Sequence, residues 1–295
     1  MRKVQIITDS CSDLTPELME RYHIDYAKMN TVYEGKTAQA DLAWTAEDVH
    51  KFYDIMRGGG RITTTQVPRE VYLEKFTEIL EAGRDVVYLA CSSALSGSIN
   101  VAAVVAGEVM ERYPGRRVFC VDSLISSLGQ GGLAILAAQR RDEGMDAAQV
   151  AQWLEQNRLR MNQCGYCDSL EYLRRAGRVT ASSAFFGNLL GVRPLLISDA
   201  LGQNLAVKKA KGAVNARKET ALLLKEQVID PEGQCLYISH ADDLPAAEAL
   251  RDAILKEIPF GRCHIGTIGP IVGSSVGPGT LIAFCMGKEV TANAK

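Results

Sequence analysis

The stretch DVVYLACSSALSGSINVAAVVAGEVMERYPGRRVFCVDS, Asp85–Ser123, decides how the chain folds. It opens on an apolar run, Asp85–Ser93, short enough for a buried strand and ending in hydroxyls. Ser96 to Tyr113 follows as a helix rich in Ala and Val, and Arg117–Ser123 is a second apolar run that ends in Asp and Ser. Working outward, the alternation persists. Val4–Asp9 reads as a strand, and a helix begins at Pro16. Thr45 caps a helix, AEDVHKFYDIMR, that Gly58–Gly60 terminate. Further helices are predicted over Pro68–Ala82, Leu124–Arg141 and Asp146–Arg160. Strand and helix in alternation argue for a parallel sheet with helices on both faces.

Beyond Met161 the pattern changes. CGYCD is strand-like, and DSLEYLRRAGR reads as a short helix capped by Asp168 and ended by Gly177. A helix over Ala181–Leu190 leads to RPLLIS and LAVKKA, two strands joined by a turn at Asp199–Gly202, which is a hairpin signal. A helix over Ala213–Glu226, the strand CLYISH, a helix over Leu244–Lys256 and the strands CHIGTIG and TLIAFCM complete the chain. The second half therefore mixes parallel and antiparallel pairing. We place a domain junction near Met161, with an α/β domain over residues 1–160 and a mixed-sheet α/β domain over residues 161–295.

The bulk numbers agree with two globular domains: 295 residues, 47% hydrophobic and 23% charged. With 33 basic against 35 acidic residues and no Lys/Arg run, no nucleic-acid partner is expected. No apolar stretch is long enough to span a bilayer, and the N-terminus lacks the features of a signal peptide, so the reading is cytoplasmic. Eight cysteines, several inside apolar runs, fit buried reduced thiols. Cys164 and Cys167 form a C-x-x-C with no second close Cys/His pair, and the four histidines are scattered, so no metal is expected.

Four segments put hydroxyls or glycines at a strand end that also opens a helix: Ile7–Asp13, Ile62–Pro68, Cys91–Ser98 and Val121–Gly132. Ligands of open parallel sheets bind outside the carboxyl ends of the strands. Free amides at a helix start favour an anion there, and hydroxyls can donate to a carboxylate. Each serine is also an ordinary helix cap, so these residues alone support an anion site and nothing finer. A phosphate loop of the form G-x-x-x-x-G-K-S/T and a G-x-S-x-G nucleophile elbow are both absent. Gly129, Gly131 and Ala134 give a loose G-x-G-x-x-A inside a helix, which we read as close packing. Ile268–Thr280 carries four glycines and two prolines between strands, a long hairpin loop or a backbone edge against a ligand. Arg174, Arg175 and Arg178 cluster at a helix C-terminus, either as a solvated basic end or to steer a carboxylate.

ITDSCSDL, TTQVP, CSSALSGS, VDSLISSLGQGGL, SLEYLRRAGRVT, GVRPLLISDALGQ and GPIVGSSVGPGTL, in this order, resemble the DegV family of bacterial fatty-acid-binding proteins. The resemblance implies a Rossmann-like domain joined to a mixed-sheet domain, with an acyl chain in the cleft between them and no other cofactor. It implies a lipid-binding carrier subunit without catalysis of its own. An ATP-binding fatty acid kinase subunit would be its partner, and an acyl phosphate the product. It also implies no membrane span and at most transient membrane contact. Carried over residue by residue, the carboxylate falls to Thr64, Ser92 and Ser93, with Arg178 in the position of the family's G-G-R arginine. Ser275 stands where the family often has a His in G-T-H-x-G-P-G, and TTQVP replaces the usual T-S-Q-P. Two other classes compete: a free-standing hydrolase or phosphotransferase using Ser93 or Ser96, and a sensor of small acids on the same anion site.

Overall fold

The computed structural model describes residues 3–182, 185 and 191–293. The helix expected over Ala181–Leu190 lies mostly outside them. Strands β1 (Val4–Asp9), β2 (Ile24–Ala27), β6 (Asp85–Ala90) and β7 (Val118–Asp122) form a parallel sheet in the order β2-β1-β6-β7. Ile6 lies opposite Ile24 on one side and Val87 on the other. Alternation along these strands divides their side chains between two cores. Ile7, Val86, Tyr88 and Ala90 pack with α3 (Arg69–Glu81) and α4 (Ser98–Arg112). Ile6, Val87, Leu89 and Val121 pack with α5 (Ser127–Asp142) and α6 (Ala147–Asn157). Both faces are covered, as the unbroken apolar runs require. Helix α1 (Pro16–Tyr22) joins β1 to β2.

The second sheet has seven strands in the order β13-β12-β14-β8-β10-β11-β9. They are β8 (Met161–Tyr166), β9 (Val179–Thr180), β10 (Val192–Ser198), β11 (Asn204–Lys211), β12 (Cys235–His240), β13 (Arg262–Thr267) and β14 (Leu281–Met286). β12 and β13 are parallel, as are β9 and β11, while the other neighbours run antiparallel. The expected hairpin is β10–β11, turned by Asp199–Gly202. Helices α8 (Gly212–Gln227) and α9 (Leu244–Leu255) cover one face, with Leu224, Leu250 and Ile254 in the core beneath.

Helix α5 lies between the two sheets, against β1 on one side and β8, β12 and β14 on the other. Its small residues make this approach feasible. A Cβ on Gly131 would stand 2.6 Å from the Ser12 carbonyl oxygen, and one on Gly129 would stand 2.7 Å from the Phe284 ring. The loose glycine pattern is thus a packing device, as read from the sequence.

Three features differ from the sequence reading. A third sheet, in the order β4-β3-β5, is formed by β3 (Asn30–Tyr33), β4 (Lys36–Gln39) and β5 (Thr63–Thr65). It left no strand signal in the sequence, because β4 is exposed throughout and β5 is three threonines, so no apolar alternation marks either. Ile268–Thr280 is not a hairpin loop. β12 separates β13 from β14, so the connection must cross it, and it does so through a short helix, α10 (Pro270–Val276). Asp168 does not cap α7 (Glu171–Ala176); it pairs with Arg193 at 3.0 Å, and the Ser169 hydroxyl accepts the Glu171 amide instead. Cys164 and Cys167 sit in separate cores, and burial pushes the Cys167 thiol up to about 12. Helix α2 (Ala46–Arg57) has the expected Thr45 cap, in a capping box with Asp48, and ends at Gly58. Among the described residues no helix is long and apolar enough to cross a membrane.

Candidate functional site

All four strands of the parallel sheet end at one edge, and that edge meets a face of the mixed sheet. A cavity of about 180 Å³ lies where they meet. From the strand ends come Cys11 after β1, Cys91, Leu95 and Ser96 after β6, and Ser126 and Ser127 after β7. From the opposite side come Leu196 of β10, Ile282 and Phe284 of β14, and Ile271 and Val276 of α10. The loop after β7 is strained, with Leu124 and Ser127 in the left-handed region at φ of +53° and +55°. This conformation sends the Ser127 amide to the Cys11 carbonyl at 2.7 Å and locks two strand ends together.

Two buried carboxylates underlie this floor. Asp9 accepts from the amides of Cys11 and Cys91, both at 2.9 Å, and from Tyr88 and Gln130. Burial raises its carboxyl against these donors. Asp13 accepts from Gly269 N at 2.8 Å and lies 2.5 Å from the Ser127 hydroxyl. Burial pushes its carboxyl up to about 7, with the Ser127 and Gly269 hydrogen bonds opposing. Asp13 thus ties the first strand-end loop to the loop before α10, 256 residues away in sequence.

Thr64, Arg178 and Ser275, three of the residues singled out in the sequence, line the cavity. They also line a second, outer concavity of about 190 Å³, so they stand at the junction of the two. Thr64 lies mid-strand in β5, opposite Thr31. Arg178 is aimed by its own backbone and by neighbours. Its Nε donates to Leu95 O at 2.8 Å, and its carbonyl accepts from Asn204, which in turn accepts from Gln163. Ser275 is half-buried on α10. Among the described residues neither the Thr64 nor the Ser275 hydroxyl makes a hydrogen bond.

Ser92 and Ser93 are not brought to the cavity. Ser92 is fully buried, and its hydroxyl donates to Gly202 O at 2.8 Å, joining the end of β6 to the β10–β11 turn. Ser93 is exposed, with its amide on Asp122 Oδ1 at 3.1 Å. The Ser92 amide donates to Ile125 O, which turns the chain so that a later residue, Ser96, reaches the cavity instead. Its hydroxyl lies 3.0 Å from that of Ser98. Ser96 was in view in CSSALSGS, but nothing local distinguishes it from its two neighbours. Gln163 and Asn204 left no signal beyond being polar residues in apolar strands.

The chain matches, over residues 3–288, the family model described as uncharacterised protein, DegV family. A DegV domain-containing protein of Clostridium perfringens is 32% identical over 287 residues, covering 97% of this chain and 98% of that one. Among solved structures, a DegV lipid-binding protein from Thermotoga maritima superposes with a TM-score of 0.84 at 27% identity, covering 98% of this chain and all of the other. A DegV family protein from Thermus thermophilus, described for its fatty acid binding, gives 0.84 at 28% identity, with the same coverage. The order of strand-end loops, the two sheets and the full-length match lead to one conclusion: the chain belongs to the DegV family.

Proposed function

We propose that this chain binds a long-chain fatty acid between two domains, residues 1–160 and 161–295, and presents its carboxylate to the ATP-binding subunit of a fatty acid kinase in the cytoplasm. One observation carries the reading: a cavity with an apolar wall and a hydroxyl-bearing wall, whose mouth holds Thr64, Ser275 and Arg178. The tail lies along Leu196, Ile282 and Phe284. The head group takes its hydrogen bonds from Thr64, Ser96 and Ser275, with Arg178 supplying positive charge. Burying each methylene contributes about 0.8 kcal/mol, so roughly fourteen contribute on the order of 10 kcal/mol. A hydrogen bond to the charged head adds about 1.5–3 kcal/mol. Tail burial sets affinity and the hydroxyls set orientation, which leaves the head at the mouth, where a partner reaches it. A serine hydrolase would need a base beside its nucleophile. The neighbour of the Ser96 hydroxyl is Ser98, and no histidine lines the cavity among the described residues.

Denaturing mass spectrometry of an organic extract of the purified protein is the direct test. A fatty acid at one per chain is expected; only short polar acids, or nothing, would remove the reading. Thr64→Val, nearly equal in shape, should weaken fatty acid binding about tenfold while leaving the unfolding midpoint in place.

A further inference from the structure

A chain of hydrogen bonds runs from the cavity wall to the buried Asp9 carboxylate. The Ser96 hydroxyl, which lines the cavity, lies 3.0 Å from that of Ser98. The Ser98 hydroxyl bonds that of Tyr72 on α3. Tyr72 and Tyr88 join hydroxyl to hydroxyl at 2.7 Å, and the Tyr88 hydroxyl lies 2.9 Å from Asp9 Oδ2. Ser98, Tyr72, Tyr88 and Asp9 are all fully buried. Facing Asp9 are Tyr88 and Cys91 from β6 and the loop after it, Tyr72 from α3, and Cys11 and Asp13 from the loop after β1. Helix α5 contributes the neutral Gln130. No basic group is among them.

Each hydroxyl in such a chain has one proton to donate, so the chain has two orientations. With Asp9 ionised, Tyr88 donates to it, Tyr72 to Tyr88, Ser98 to Tyr72 and Ser96 to Ser98. The Ser96 proton is then spent inward, and its oxygen offers the cavity only lone pairs. With Asp9 protonated, the proton sits on Oδ2. Oδ1 already faces two donors, the Cys11 amide at 2.9 Å and the Gln130 side-chain amide at 3.2 Å, and the Leu89 carbonyl holds that side chain the same way round. Asp9 then donates to Tyr88, every bond reverses, and Ser96 is free to donate into the cavity. The Ser98 oxygen accepts from Val67 N at 3.2 Å in either state. We infer that a fatty acid carboxylate binds at Ser96 together with one proton taken up at Asp9, with Tyr88, Tyr72 and Ser98 as the positioning residues that link the two. The inference rests on the fatty acid reading of the cavity and on Ser96 as a head-group donor. An anion and a proton enter together, so the interior gains no net charge. The burial that raises the Asp9 carboxyl acts in the same direction.

Titration calorimetry of dodecanoate into delipidated full-length protein, repeated in buffers of different ionisation enthalpy between about pH 6 and 9, counts the protons; the free head stays ionised there. Uptake should rise towards one proton per dodecanoate as pH passes the value at which Asp9 of the unliganded protein ionises, and affinity should then fall about tenfold per pH unit. Tyr72→Phe leaves all four hydrogen bonds of Asp9 in place but cuts the chain, so uptake should vanish and the pH profile flatten. Ser98→Ala should do the same from the other side of the cut. Dodecanoate labelled with carbon-13 at its carboxyl shows where the proton goes, and its chemical shift should stay that of a carboxylate. Uptake undiminished in Tyr72→Phe would mean that charge acts through space, and a bound head that titrates would put the proton on the lipid. Either result overturns the coupling, as does binding without uptake at any pH, and each leaves fatty acid binding intact. Failure of dodecanoate to bind the wild type instead removes the reading of the cavity.

Discussion

The wall that the parallel sheet's strand-end loops lend to the cavity carries Ser96, Ser126 and Ser127 beside Cys11, Cys91 and Leu95, whereas the wall from β10 and β14 carries Leu196, Ile282 and Phe284. The difference follows from which part of each sheet is used. At a strand end the ladder stops, and the freed amides and carbonyls need partners that small polar side chains supply. The Asp9 carboxylate taking two amides, and the Ser92 hydroxyl reaching a carbonyl 110 residues away, are instances. On a sheet face the backbone is already paired, so the side chains are free to be wholly apolar. An edge laid against a face therefore makes an amphipathic slot, suited to a guest with one polar end.

Substitutions on each wall should separate the two chemistries. The largest effect belongs to the apolar side. Phe284 is 1% exposed and packs against Gly129, so Phe284→Ala should lower the unfolding free energy by about 3–5 kcal/mol in denaturant titration. A loss under about 1 kcal/mol would mean that the ring is not part of the packed wall.

On the polar side the next effect is on pH dependence. Asp13 titrates near 3.8 when unfolded and at about 7 when folded. Between those values the folded protein holds a proton that the unfolded chain has released. Its contribution to stability therefore falls as pH rises from about 4 to about 7, and is level outside that window. Asp9, raised in the same direction, adds to the trend, so the comparison must be with Asp13→Asn. The difference in unfolding free energy between wild type and variant should drift by a few kcal/mol at most across the window, because a tenfold difference in proton affinity between the two states is worth about 1.4 kcal/mol. Parallel pH profiles would show that Asp13 is not held protonated.

The smallest effects lie within one loop. Ser92→Ala leaves the buried Gly202 carbonyl without its donor and should destabilise by about 1–3 kcal/mol with bound lipid unchanged. Ser93→Ala, at an exposed site, should alter neither stability beyond about 0.5 kcal/mol nor lipid content. A Ser93→Ala protein that lost its lipid would return that residue to the head-group site and undo the assignment of Ser96.

Legibility along the chain tracked how local each signal was. Thr45 with Asp48 makes a capping box within four residues, and Gly58 ends the same helix, so α2 could be read to the residue. The strand Val4–Asp9 and the β10–β11 hairpin were equally plain. In CSSALSGS, by contrast, Ser92, Ser93 and Ser96 looked alike. Their separation into a structural tie, a surface residue and a cavity residue depends on Ile125 and Gly202, which lie elsewhere in the chain. The β3–β4–β5 sheet was hidden because it buries little. The helix within Ile268–Thr280 was hidden because only the strand order makes a crossing necessary.

The sequence by itself determined the alternating first half, the mixed second half, the strand-end hydroxyl loops and the family, since periodicity, caps and motif order are written in neighbouring residues. Only the tertiary structure decided which hydroxyls face the cavity and that α5 lies between the sheets. Those outcomes depend on contacts between distant segments. A side chain's direction there is set by the hydrogen bonds and packing of its new neighbours, which no local pattern encodes.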